Sequence, residues 1–115
     1  MDAEQARAAI LAAIAAVPAG AIASYGAIAA RAGLPKRARL VARVLAELPS
    51  GSGVPWHRIV RAGGRIAFAP GSADFARQRA LLLEEGCTVA DNGRVTAKAQ
   101  PTGTLDEAIW GGWFG

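Results

Sequence analysis

Two short helical segments on either side of a glycine and a proline most constrain how this chain can fold. In the first, "SYGAIAARAG", Ser24 is a suitable N-cap and Gly33 a suitable C-terminal stop. The second, "KRARLVARVLAELP", begins after Pro35 and ends at the next proline. Its apolar residues share one face at 100° per residue, and a basic face lies opposite. The basic residues are Lys36, Arg39 and Arg43. This arrangement predicts a helix-turn-helix.

The flanking segments add two helices and two hairpins. Residues 3–17 have apolar residues at helical spacing and precede Pro18. "HRIVRAGGRIAFA" predicts a hairpin around Gly63-Gly64. Ser72 is expected to cap a fourth helix that Gly86 ends. "TVADNGRVTA" predicts a second hairpin, with a type I′ turn at its Asn-Gly pair.

The predicted fold class is therefore α+β, a single small winged helix-turn-helix domain with short β-hairpins over residues 1–98. Residues 99–115 form a tail with three aromatic residues. We expect this tail to dock on the domain, because large exposed rings are costly.

Charge is concentrated in one part of the chain. Residues 31–65 hold eight basic residues and one acidic residue, a net charge of +7, while the remainder carries −3. Such a block is typical of a nucleic-acid binder, although a solvated surface accounts for it equally well.

Composition and patterning exclude several classes of protein. No apolar run reaches the roughly 20 residues that span a bilayer, and the N-terminus lacks the layout of a signal peptide, so we expect a cytoplasmic protein. Cys87 is the only cysteine, which excludes an internal disulfide and a zinc site built on paired cysteines.

The stretch "GVPWHRIV" holds the only histidine, His57, and leaves three interpretations open. As a general base it has no adjoining serine, threonine or cysteine to activate. As a metal ligand it has no second histidine and few carboxylates nearby. It can also be a hydrogen-bonded core residue, which is common for such histidines.

Four segments in order, "VPAGAIASYGAIAARAG", "ARLVARVLAELP", "VPWHRIV" and "LLLEEG", resemble the DNA-binding domain of the O6-alkylguanine-DNA alkyltransferases. The similarity runs from about Ala9 to Gly86. Where the repair enzymes have Pro-Cys-His-Arg, with the cysteine that accepts the alkyl group, this chain has Trp56. That substitution and the neighbouring sequence are similar to the alkyltransferase-like proteins.

The resemblance implies roles for individual residues. Tyr25 would rotate the target nucleotide out of the helix, and Arg39 would enter from the minor groove and fill its place in the stack. Further DNA contacts would come from Ser24, Lys36, Ala38 and Arg43. The lesion pocket would be formed by Val54, Pro55, Trp56, Phe68, Ala69, Pro70 and Gly71. A structural network would consist of His57, Arg58 and Glu85.

Two positions and one loop depart from the enzymes' pattern. Ala42 replaces a glycine of the recognition helix, and Leu48 replaces an asparagine that joins this helix to the active-site loop. In the pocket loop, "AFAPG" replaces Tyr-Ser-Gly-Gly, and Ala69 offers an O6 substituent neither a hydroxyl nor a charge.

The function that the resemblance implies is non-enzymatic. The protein would bind O6-alkylguanine in double-stranded DNA, flip it into a pocket and flag it for nucleotide excision repair proteins, as a monomer without cofactor or metal and away from membranes. Two alternatives are a sequence-specific winged-helix transcription regulator and an alkyltransferase that uses Cys87. The second is disfavoured because Cys87 follows the predicted stop of the fourth helix, far from the motif.

Overall fold

The computed structural model describes residues 2–49 and 51–98, so the predicted tail lies outside the described residues. It confirms the α+β fold class, with four helices and short strands. The helices are α1 (Ala3–Ala15), α2 (Tyr25–Arg31), α3 (Ala38–Ala46) and α4 (Ala73–Glu84), with a 3₁₀ turn at Trp56–Arg58. The strands are β1 (Ala23–Ser24), β2 (Ile59–Val60), β3 (Thr88–Val89) and β4 (Val95–Thr96).

Helix α1 begins at a reciprocal cap that the sequence analysis did not identify. The Asp2 carboxylate accepts from the Gln5 backbone N–H at 2.8 Å, and the Gln5 side chain accepts from the Asp2 N–H at 3.0 Å. The helix buries Ile10 and Ile14 and ends at Ala15, two residues earlier than predicted.

The turn between α2 and α3 corrects the predicted start of the third helix. Pro35 does not open α3: the Arg37 N–H donates to the Leu34 carbonyl at 3.2 Å, and Lys36 has a φ of 67°. Proline followed by a residue with positive φ is the pattern of a type II turn, which displaces the start of the helix to Ala38. Lys36 therefore lies in this turn rather than on the helix.

The short parallel pair β1–β2 lies between two hydrophobic clusters. Ala23 pairs with Ile59, and both belong to the cluster around α1, α2 and α3. Val60, the next residue of β2, belongs to the second cluster, with Leu82 of α4. Because successive side chains of a strand point to opposite faces, this pair supplies both clusters.

The predicted first hairpin is only partly formed. The chain does reverse at Gly63 and Gly64, both with positive φ, and Arg61 and Arg65 form an isolated antiparallel bridge. However, "RIAFA" does not form a strand against β2. The partner of β2 is β1 instead, because that pairing buries Ile59 and Val60.

The predicted second hairpin is confirmed, but its turn type is wrong. Strands β3 and β4 pair antiparallel. The Gly93 N–H donates to Ala90 O and the Ala90 N–H to Arg94 O, both at 2.8 Å. Gly93 has a φ of 89°, whereas Asn92 lacks the positive φ that a type I′ turn requires. The connection is a three-residue loop with its glycine in the bulge position.

Helix α4 begins and ends as predicted. The Ser72 hydroxyl accepts from the Phe75 N–H at 3.1 Å, and Gly86 follows the last turn with a φ of 89°. Its buried residues are Phe75, Gln78 and Leu82. Among the described helices, none is long and apolar enough to cross a bilayer.

Candidate nucleic-acid interface

Ser24 and Tyr25 stand where β1 passes into α2. The Ser24 hydroxyl accepts from the Ala27 N–H at 3.0 Å, the N-cap that the sequence predicted. This bond fixes the backbone from which Tyr25 projects. Burial raises the pKa of Tyr25 above 10.0, so its half-buried hydroxyl stays protonated at neutral pH and can donate a hydrogen bond.

Helix α3 presents a basic outer face beside this tyrosine. Arg39 and Arg43 are exposed, one turn apart, whereas Val41 and Val44 are buried on the opposite side. Ala38, the first residue of α3, lines a shallow depression together with Ser24, Tyr25 and Arg61. Small residues there let another molecule approach the backbone closely.

A cavity of about 1000 Å³ opens between the C-terminal half of α3, residues 51–55, the 3₁₀ turn and α4. Four residues of the predicted lesion pocket line it, namely Val54, Pro55, Trp56 and Phe68. The other three are exposed and absent from its lining: Ala69, Pro70 and Gly71. Tyr25 lines both this cavity and the shallow depression. It therefore stands at the border between them.

Trp56 forms one wall of the cavity and is held by three side chains. Its ring meets Phe68 edge to face, with centroids 6.4 Å apart, and His57 at 6.2 Å. The Arg77 guanidinium carbon lies 5.4 Å from the centroid of the indole, a cation–π contact. These contacts restrict the indole and give the cavity a large apolar surface.

The structure brings together the three residues of the predicted network. Arg58 donates from Nε to Glu85 Oε1 at 3.0 Å and from Nη2 to Oε2 at 2.6 Å, a bidentate pair. Arg58 Nη1 also donates to Val17 O at 2.8 Å. The network therefore connects the end of α1, the 3₁₀ turn and the C-terminus of α4.

His57 completes this network through proximity rather than a well-directed hydrogen bond. Its Nε2 lies 3.0 Å from Glu85 Oε2, but its direction does not meet hydrogen-bond geometry, and it has no other partner among the described residues. Burial raises the pKa of Glu85, but the hydrogen bonds from Arg58 and the proximity of His57 outweigh burial and lower that pKa to about 2. Glu85 is therefore ionised at neutral pH.

Two residues of α4 reach the site although the sequence predicted no role for them; their segment, "RQR", contributed only to the family resemblance. Gln78 is buried, and its Nε2 donates to the His57 and Ile59 carbonyls, each at 3.0 Å. Arg77 lines the cavity and supplies a positive charge there, whereas the side chain of Ala69, a residue of the predicted pocket, carries no charge. The sequence did contain a signal for Gln78. Helical spacing places Gln78 on the same face of α4 as the apolar residues Phe75 and Leu82, which predicts that its side chain is buried.

The only thiol lies elsewhere. Cys87 is buried in the cluster with Leu82, and its Sγ lies 3.7 Å from Gly20 O. It does not line the cavity. The described residues also hold no group of three or more histidine, cysteine, aspartate or glutamate side chains placed to bind a metal ion.

This fold and cavity define a small winged helix-turn-helix domain, and comparisons of sequence identify its family. Residues 5–87 match the family described as 6-O-methylguanine DNA methyltransferase, DNA binding domain. The chain belongs to this family.

Two relatives show where the family similarity lies. A protein named DNA base-flipping protein from Escherichia coli is 44% identical over 82 residues, which are 71% of this chain and 62% of that protein. The chain thus spans less than two thirds of that relative's length. Alkyltransferase-like protein 1 of Schizosaccharomyces pombe is 37% identical over 73 residues, which are 64% of this chain and 68% of that protein.

Solved structures agree with the sequence comparison. S. pombe Atl1 in complex with damaged DNA containing O6-carboxymethylguanine matches with a TM-score of 0.73 at 30% identity, over 85% of this chain and 93% of Atl1. Mycobacterium tuberculosis OGT in complex with DNA matches with a TM-score of 0.59 at 34% identity, over 74% of this chain and 50% of OGT.

Proposed function

We propose that this protein binds O6-alkylguanine in double-stranded DNA, rotates the damaged nucleotide into the cavity beside Trp56 and leaves the alkyl group in place. The observation that carries this proposal is the cavity itself. It is lined by Trp56 and by no cysteine, and Tyr25 stands between it and the shallow depression beside α3.

Rotation of the nucleotide is required by the geometry of DNA. The O6 atom of guanine faces the major groove inside a stacked pair, whereas the family resemblance implies entry from the minor groove. An alkylated guanine pairs poorly, so its extrusion costs less than that of an intact base. Tyr25 and Arg39 are proposed to push the nucleotide out and to fill the space that it leaves.

The absence of alkyl transfer follows from the available nucleophiles. The Trp56 indole is not a useful nucleophile at neutral pH, and His57 has no adjacent thiol to deprotonate. Cys87 is buried beyond the C-terminus of α4 and does not line the cavity. The relatives named DNA base-flipping protein and alkyltransferase-like protein support a binding role. A link to nucleotide excision repair, action as a monomer and a cytoplasmic location are proposed from the resemblance and the sequence.

A binding experiment tests the proposal. We expect a duplex with one O6-methylguanine to bind at least tens of fold more tightly than the same duplex with guanine, at one stated salt concentration. The reason is that easier unstacking and the fit of the pocket each contribute on the order of 1–3 kcal/mol. Equal affinities would contradict the proposal, and a preference set by sequence rather than by the lesion would indicate a transcription regulator.

Mass spectrometry tests the non-enzymatic part. After incubation with excess O6-methylguanine DNA, the intact protein should keep its mass and the DNA should be recovered still methylated. A gain of one methyl group on any residue, Cys87 included, would identify an alkyltransferase.

A further inference from the structure

Three arginines lie side by side on adjacent β positions of the wing, which is formed by residues 61–66 and the β3–β4 hairpin. Arg61 is bridged to Arg65, and Arg65 is bridged to Arg94, both in antiparallel register. Directly opposite residues of an antiparallel pair place their side chains on the same face. The order across this face is therefore Arg61, Arg65, Arg94, which we call the arginine row.

Nothing within the described part of the chain neutralises this row. All three side chains belong to exposed residues, and none forms an ion pair with an acidic side chain of residues 2–49 or 51–98. Like charges directly opposite one another in a sheet are destabilising. Repulsion among the three arginines therefore destabilises the free protein, although uncharged residues would form the same β bridges without this repulsion.

The row continues the interface built by the helix-turn-helix. Arg61 follows β2, which pairs in register with β1, so that Ser24 lies beside Val60. Arg61 also lines the depression that contains Ser24, Tyr25 and Ala38. From this depression the row leads outward across three adjacent strand positions, a distance of about 10 Å.

We propose that the arginine row is a second DNA contact, which binds consecutive backbone phosphates of the strand beside the flipped nucleotide. Guanidinium groups suit phosphate oxygens because they donate two parallel hydrogen bonds. Arginine side chains are long enough that a row of about 10 Å can reach neighbouring phosphates of one strand. The contact reads no base, so it adds affinity for any duplex and leaves discrimination to the cavity. This inference rests on the proposed function only in taking DNA as the ligand.

The salt dependence of binding tests the row. Arg65→Gln combined with Arg94→Gln removes two charges while leaving Arg61, which also lines the depression, intact. Each lost phosphate contact reduces the slope of log K against log salt by about 0.9. The double variant should therefore show a slope lower by about 1.8, and its affinity for lesion and undamaged duplexes should fall by the same factor. Arg79→Gln, an exposed arginine of α4 outside the row, is the matched control and should leave the slope unchanged.

Thermal unfolding of the free proteins separates binding from folding. Because the substitutions relieve like-charge repulsion, the double variant should unfold at the same or a higher temperature than the wild type in low salt. An unchanged slope, an equal effect of Arg79→Gln, a loss confined to lesion DNA or a less stable double variant would each overturn the inference. If the wild type bound both duplexes equally, the proposed function would fail, yet the slope comparison would still decide the role of the row.

Discussion

At the scale of the residue, the backbone conformation of Lys36 determines how the side chain of Arg39 is presented to solvent. Lys36 has a left-handed φ of 67°, a conformation that costs a lysine of order 1 kcal/mol or more and is concentrated at functional sites. The turn that contains it places α3 with Arg39 exposed near its start. A side chain in that position is free to enter a groove.

Arg39→Ala is the residue-scale prediction. If the guanidinium fills the gap in the base stack, its removal should weaken binding to O6-methylguanine DNA by roughly 1–3 kcal/mol, as for other side chains that stack on bases. Arg43→Ala, one turn further along the same helix, is the matched control. It should lower the affinity for damaged and undamaged DNA evenly, as measured by parallel titrations of both duplexes. Indistinguishable profiles for the two variants would contradict the assignment of Arg39.

At the scale of the element, the 3₁₀ turn is held by α4 in addition to its own backbone hydrogen bonds, such as that from the Arg58 N–H to the Pro55 carbonyl. Glu85 binds Arg58 from the end of the helix, and Gln78 binds two backbone carbonyls around the turn. The wall that carries Trp56 therefore depends on the placement of α4. We expect the 3₁₀ turn and Trp56 to have low mobility as long as these contacts with α4 persist.

Glu85→Gln tests this dependence through pH. The pKa of Glu85 is lowered from 4.5 to about 2, so the ionised carboxylate stabilises the folded state above pH 4.5, and this contribution is lost as the pH falls toward 2. At neutral pH we expect the variant to lose about 1–3 kcal/mol, because Arg58 keeps a partly buried charge without its partner. The difference in free energy of unfolding between the wild type and the variant, measured by urea unfolding with fluorescence detection, should decrease as the pH falls from about 4.5 to 2. A difference in free energy of unfolding that does not vary with pH would contradict a stabilising role for the Arg58–Glu85 ion pair.

The turn between β3 and β4 provides a second prediction at this scale. Gly93 has a φ of 89°, and a Cβ there would lie 3.0 Å from Phe75 Cε2, so Gly93→Ala combines backbone strain with overpacking. We expect Gly93→Ala to lower the free energy of unfolding, measured by chemical denaturation, by about 2–4 kcal/mol. Gly63→Ala is the control, since its φ is 92° but no atom lies within 4 Å, and it should cost only about 1–2 kcal/mol. Equal losses would show that Phe75 adjusts without cost.

Local signals predicted two of the helix caps but not the one at Asp2, and contacts between distant residues were predicted only where the family resemblance implied them. The caps at Ser24 and Ser72 were predicted because a side chain and an N–H three residues away decide them. The start of α3 was not, because proline is equally suited to the first turn of a helix and to a type II turn. Nor were the contacts of Gln78, which cross about twenty residues and depend on how the helix packs.

At the scale of the whole molecule, two hydrophobic clusters share one pair of two-residue strands. Ala23 and Ile59 belong to one cluster, and Val60 belongs to the other, together with Ile22, which immediately precedes β1. Neither cluster can lose its packing without disturbing the strands that serve the other. We therefore expect the domain to unfold in one step, as most single domains of this size do.

Substitutions in each cluster test this coupling. Ile14→Ala in the first cluster and Leu82→Ala in the second both remove fully buried side chains and should each cost about 2–5 kcal/mol. Both variants should retain a single transition, with coincident curves by far-UV circular dichroism and tryptophan fluorescence. Two separate transitions in either variant would show that the clusters fold independently.

The burial of Cys87 also makes the protein convenient for spectroscopy. A thiol with 3% exposure reacts slowly with maleimides, so the native chain offers no competing site for a dye under folded conditions. A single substitution such as Ala76→Cys, on the exposed face of α4, would then create one addressable position. Energy transfer between a fluorophore at this position and a second one on the duplex would report binding and dissociation on individual DNA molecules. Cys87 would not have to be replaced first.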